Sequence, residues 1–102
     1  MKFETNRLYY VYILTNKART VLYIGVTNSL KRRLAEHRNP VNCYAFTCKY
    51  NVFYLVHVER YAQPLTAINR EKQIKKWNRE KKNNLITQSN PAWSFLNDQS
   101  IE

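Results

Sequence analysis

A single glycine, Gly25, stands among 102 residues, where an average globular chain of this length carries roughly seven. A chain so sparing keeps its glycine where a Cβ would not fit. Around it, Val21-Leu22-Tyr23-Ile24-Gly25-Val26-Thr27 alternates as a strand does, and a strongly basic amphipathic segment follows at once. One reading is a strand that ends at Gly25 and delivers Tyr23 and the next helix to one site. The other is a plain strand with a glycine marking a bulge or turn at its end.

Residues 8–15 are β-branched, aromatic and apolar and predict a first strand. Tyr10, Tyr12 and Leu14 share one face; Tyr9, Val11 and Ile13 share the other. The polar segment 16–19 suits a hairpin loop, after which 20–27 pairs back antiparallel. Both faces of the hairpin are apolar, which predicts a central place in a sheet rather than an edge. Thr27, Asn28 and Ser29 offer caps for a helix over 29–38. Its Leu30, Arg33, Leu34 and His37 recur at helical spacing on one face. Arg33 and His37 therefore either snorkel to the rim of the core or stand over a polar site beside the sheet. Asn39-Pro40 ends this helix, and a short helix is expected within 41–50. A third strand lies between Asn51 and Tyr61, with His57 as a structural histidine.

Pro64 precedes a long helix expected over 65–80. Ala67, Ile68 and Ile74 mark its apolar side, and Glu71 falls in the middle of that side. An inward carboxylate is costly unless paired, hydrogen-bonded or metal-bound. A buried pair with Arg33 or Arg70 and a ligand role are both open. From Arg70 to Lys82 the chain carries seven basic residues and two acidic ones. A short helix is expected around 81–86, and Asn90-Pro91-Ala92-Trp93-Ser94-Phe95-Leu96 packs back as an apolar tail. The whole predicts one α+β domain over 1–102, its core at about 7–96: a small three-stranded antiparallel sheet flanked by helices.

The formal net charge of +10 favours a polyanionic partner, nucleic acid before a membrane surface. No apolar run approaches the roughly 20 residues of a membrane span, and residues 1–7 lack a signal peptide's apolar segment. A cytoplasmic protein is expected. Cys43 and Cys48 fit no usual zinc or redox spacing and read as free thiols.

There is no Walker loop, HExxH or nucleophilic elbow. Tyr12, Tyr23, Arg33, His37 and Glu71 remain: two phenols, an arginine, a histidine and a carboxylate in a basic protein. Such a set suits phosphodiester hydrolysis. A carboxylate can hold a hard divalent cation with waters still bound, an arginine fork clamps non-bridging oxygens, and a phenol or imidazole relays a proton.

The order Tyr10-Val11-Tyr12, then Tyr23-Ile24-Gly25, resembles the paired signature of GIY-YIG nuclease domains. Arg33 and His37 follow Gly25 at that family's spacing. Arg70-Glu71-Lys72-Gln73-Ile74-Lys75-Lys76-Trp77 resembles the glutamate helix of its small stand-alone members, and Asn90-Pro91-Ala92-Trp93 their C-terminal segment. Tyr10 departs from the pattern by occupying the place of the first motif's glycine. The resemblance implies a metal-dependent endonuclease acting on DNA ahead of RNA, or a non-catalytic nucleic-acid-binding module of the same fold. It implies a single Mg²⁺ or Mn²⁺ on Glu71. Tyr23 is then the phenol near the attacking water, supported by Tyr12. Arg33 takes the scissile phosphate, and His37 assists proton transfer or contacts the phosphate. Lys31, Arg32, Lys49, Arg70, Lys72, Lys76 and Asn90 are the expected nucleic-acid contacts, Lys49 and Asn90 at the rim. Larger members add DNA-targeting domains for which this chain has no room, so sequence specificity is expected to be low or supplied by a protein partner.

Overall fold

The structure, a computed structural model, describes residues 7–39 and 45–98. Its elements run β1 (Tyr9–Thr15), β2 (Leu22–Thr27), α1 (Leu30–Arg38), α2 (Ala45–Tyr50), β3 (Tyr54–Tyr61), α3 (Pro64–Lys76) and α4 (Arg79–Ser89). The strands form one antiparallel sheet in the order β2-β1-β3. The expected three-stranded antiparallel sheet flanked by helices is what the chain adopts.

Two apolar clusters sandwich that sheet. Val11, Ile13, Ile24 and Val56 meet Ala67 and Ile74 of α3 and Ile86 of α4. Tyr10, Tyr12, Leu14 and Leu55 meet Leu30 of α1 and Val52, with Tyr23 and Leu34 packed against them. The hairpin is therefore apolar on both faces because helices cover both. The expectation that it lies centrally holds for β1 and fails for β2, which is an edge strand. Apolarity reports what covers a strand's faces and says nothing of its lateral place.

The hairpin loop turns without glycine. Asn16 Oδ1 accepts from the backbone N–H of Thr20 and Val21 (2.8 and 3.1 Å), and Arg19 takes the left-handed conformation, φ 62°. Nor does Gly25 end a strand: β2 continues to Thr27. There Thr27 Oγ1 accepts from the N–H of Ser29 at 3.1 Å, and Ser29, the N-cap of α1, makes no side-chain cap bond. Thr27 thus braces the strand-to-helix turn from outside the helix.

The long helix expected over 65–80 breaks at Trp77, whose extended backbone ends α3. Asn78 starts α4, its side chain accepting from the N–H of Lys81 at 2.9 Å. Trp77 turns to the core, with Arg70 and Lys81 over its ring at 5.1 and 4.5 Å. An asparagine cap suffices to end one helix and begin another without proline or glycine. The basic run is thereby split between two helices. The short helix expected over 41–50 is seen as α2 from Ala45; residues 40–44 lie outside the described ones. The tail packs back as expected: Trp93 and Phe95 lie against the α3 side of the core. Leu96 N–H donates to Leu55 O at 2.8 Å.

Cys48 is disulfide-bonded rather than a free thiol. Cys43 lies outside the described residues. Among the described residues no helix is long and apolar enough to cross a membrane.

Candidate functional site

Tyr12 and Gly25 are cross-strand partners. A Cβ built on Gly25 would stand 2.5 Å from Cζ and 2.9 Å from Cε1 of the Tyr12 ring, and closer still to its hydroxyl. The one glycine is thus the notch through which the Tyr12 ring crosses β2. Its backbone needs no positive φ; the need is for space.

Beyond the notch, Tyr12 OH stands 3.0 Å from Nε2 of His37 on α1, and His37 Nδ1 stands 3.3 Å from Oγ1 of Thr47 on α2. Tyr12 is 1% exposed, and His37 and Thr47 are fully buried. His37 does not snorkel. Burial, and then the Arg33 guanidinium, push its pKa down from 6.5 to about 4 against the opposing pull of Glu36. A neutral imidazole carries one N–H. The ring therefore donates in one of these hydrogen bonds and accepts in the other.

Tyr23 is half-buried. Its ring packs edge-on to His37 at 5.1 Å, 6.3 Å from Tyr12 and 6.1 Å from Phe46 of α2. Arg33 lies one helical turn before His37 on α1. Its side chain is 26% exposed, with Nε 3.5 Å from Glu36 Oε1. Tyr12, Tyr23, His37 and Arg33 therefore form one cluster at the β1–β2–α1 junction. Glu71 belongs to the other helical layer. It lies between Ala67 and Ile74 on the side of α3 turned to the sheet, and α3 packs chiefly against β1 and β2. Its side chain is 14% exposed, and its carboxylate pairs with Lys75 at 2.9 Å, not with Arg33 or Arg70. Lysine one turn on is the nearer cation, an intrahelical solution that needs no second element.

Arg70 is committed elsewhere. Its fork donates to both oxygens of Glu59 at 2.9 and 3.1 Å, and Nη1 donates to Gln73 at 2.7 Å. Tyr61 OH (2.6 Å) and His57 Nε2 (2.8 Å) donate to the same carboxylate, and His57 Nδ1 is 3.0 Å from Ser89 Oγ. Burial raises the Glu59 carboxyl, but the hydrogen bonds from His57, Arg70 and Tyr61 outweigh it and hold the group well below the usual carboxylate range. This network was legible in part: His57, Glu59 and Tyr61 alternate on one strand and share a face. Asn90 is not at a rim. It is 9% exposed, donates to Val56 O and Ser94 O at 3.0 and 2.9 Å, and accepts from Ser94 N–H at 3.0 Å. Its amide closes the tail onto β3. Lys31, Arg32, Lys49, Lys72 and Lys76 are exposed. Thr47, Phe46 and Tyr50 of α2 are not legible in the sequence, where their segment carries no clear period.

The depressed His37 pKa has a thermodynamic consequence. The folded protein holds His37 neutral down to about pH 4, whereas the unfolded chain protonates it near 6.5. Between those values the unfolded state binds more protons, so stability falls as pH falls, by up to about 3 kcal/mol. The expected result is a melting temperature roughly 10 °C or more lower at pH 4.5 than at pH 7.5. His37→Gln should flatten that slope. An equal slope in both proteins would remove His37 as its source.

The GIY-YIG catalytic domain profile matches residues 8–84. A UPF0213 protein of Natronomonas pharaonis is 37% identical over 78 residues, 76% of this chain and 89% of that relative. One from Syntrophus aciditrophicus is 38% identical over 80 residues, 78% of this chain and 91% of the relative. The solution NMR structure of a UPF0213 protein from Bacillus halodurans superimposes with a TM-score of 0.56 at 25% identity, covering 93% of this chain and 99% of that one. The profile takes in β1, β2, α1 and α3, the four elements that carry Tyr12, Tyr23, Arg33, His37 and Glu71; the chain belongs to the GIY-YIG catalytic domain family.

Proposed function

We propose that the protein is an endonuclease that hydrolyses phosphodiester bonds in DNA with the help of one divalent cation. The observation that carries this reading is the junction of β1, β2 and α1. There a half-buried phenol, Tyr23, stands in ring contact with a neutral buried histidine, one turn from a partly exposed arginine. Tyr23 orients the attacking water and takes part in its deprotonation. Arg33 binds the non-bridging oxygens of the scissile phosphate. Tyr12 and His37 are buried and bonded to each other, so they act by holding Tyr23 in place rather than by touching substrate. Lys31, Arg32, Lys49, Lys72 and Lys76 receive the nucleic-acid backbone. Arg70 and Asn90 are spent on internal partners and are left out of that set.

Glu71 fits the metal. A single, partly buried carboxylate suits a hard ion that keeps most of its water shell, and the ion would take the place that Lys75 now holds at 2.9 Å. Mg²⁺ or Mn²⁺ held there would supply positive charge to a substrate phosphate that reaches from the β1–β2–α1 junction to α3.

The test is plasmid nicking. Wild type is expected to nick with Mg²⁺ or Mn²⁺ and to stop on chelation. Arg33→Ala and Glu71→Ala should each lose about 100-fold or more. Activity surviving in both variants would sink the assignment. One observation favours the alternative of a binding module without cleavage: Glu71 is ion-paired to Lys75. That reading expects salt-dependent binding, unchanged by Glu71→Ala, and no metal-dependent nicking.

A further inference from the structure

Aromatic rings continue outward from Tyr23. Phe46 stands 6.1 Å from it, and Tyr50 stands 5.0 Å beyond Phe46. Phe46 is 43% and Tyr50 42% exposed, an unusual state for two large apolar rings in contact. They lie one turn apart on α2, so one helical face presents both. The helix beneath them is fixed. Its Thr47 is fully buried and bonded to His37, and Val52 N–H donates to Thr47 O at 3.0 Å before entering the core. The outer end of the pair carries charge: Lys49 Nζ stands 5.4 Å from the Tyr50 ring centroid. A rigid turn of helix thus holds two exposed rings and a cation beside the phenol of the candidate site.

We infer that Phe46 and Tyr50 are a base-stacking platform, and that this protein binds nucleic acid with an unpaired nucleotide next to the scissile phosphate in preference to an intact duplex. The inference rests on the nuclease reading for the position of that phosphate. A base within a duplex has both faces covered by its neighbours and cannot lie on Phe46. An unpaired base can, while its phosphate stays at Tyr23 and Arg33. Every base has a π face, so the platform is indifferent to sequence. Lys49 supplies the cation that the backbone meets on leaving the rings. The face is suited to a single strand, loop or flap.

The test measures binding without cleavage. A short fluorescein-labelled single-stranded oligodeoxynucleotide and its blunt duplex are titrated in chelator at one ionic strength. Wild type, Phe46→Ala/Tyr50→Ala and Phe46→Trp/Tyr50→Trp are compared, each checked by thermal melting. The alanine pair should weaken single-strand binding about tenfold or more and leave duplex binding within about twofold. The tryptophan pair should bind the single strand as wild type does. Equal loss on both probes, or no loss on either, overturns the inference. So does a change of oligomeric state with unchanged oligonucleotide affinity, because the rings would then serve a protein contact. If the selective loss appears but wild type cleaves nothing, the platform stands and the nuclease reading falls. If wild type nicks duplex plasmid and the alanine pair binds the single strand normally, the reverse holds.

Discussion

Tyr23→Phe is expected to lower cleavage by about 100- to 10,000-fold, the range for loss of a positioned proton-transfer group, with little change in melting temperature. The phenol is half-buried and its ring contacts with His37, Tyr12 and Phe46 survive the substitution. Tyr12→Phe should act in the opposite proportion. Tyr12 is 1% exposed and its hydroxyl meets His37, so the change removes a buried hydrogen bond at a cost of about 1–3 kcal/mol. Its effect on cleavage should be smaller than that of Tyr23→Phe and should come through looser placement of Tyr23. Steady-state cleavage and thermal melting of both variants decide the matter. If Tyr12→Phe is the more damaging to turnover and the less damaging to stability, the roles are reversed.

The alternation in 8–15 and 20–27 and the helical spacing of Leu30, Leu34, Ala67 and Ile74 were enough to anticipate the sheet and two of its helices. Each is a local period that one covered face imposes. Polar groups on those same faces mark the candidate site, because Arg33, His37 and Glu71 break an apolar pattern. What stayed hidden depended on partners far along the chain or on a single backbone choice. An arginine pair is one of the two readings open for Glu71, but Arg70 is drawn away by Glu59, eleven residues earlier on β3, and Glu71 pairs with Lys75. The resemblance puts Asn90 at the rim of the site, but its amide is consumed by the backbone of β3 and the tail. The break at Trp77 turns on whether Trp77 faces the core, which a helical period cannot express. The edge place of β2 is likewise set by β3 choosing the other side of β1.

Gly25→Ala is expected to cost about 3 kcal/mol and to lower the melting temperature by roughly 10–20 °C. The added methyl would meet the Tyr12 ring rather than open space. Such a clash is cheap when the far end of a flexible side chain can swing aside. Tyr12 cannot, because it is 1% exposed and its hydroxyl is held against His37 at 3.0 Å. Moving the ring breaks that buried bond, so the overpacking and hydrogen-bond costs add. The site should fail with the fold's local order, since Tyr23 leans on both displaced rings. The explanation makes a sharper demand than the single variant does. If the methyl acts through the Tyr12 ring, Gly25→Ala in a Tyr12→Ala background should be nearly silent, although Tyr12→Ala alone is costly. A double-mutant cycle by thermal and denaturant unfolding should therefore show coupling of about 2 kcal/mol or more. Additive losses would place the need for glycine in the backbone of β2 and would detach it from the Tyr12–His37 pair.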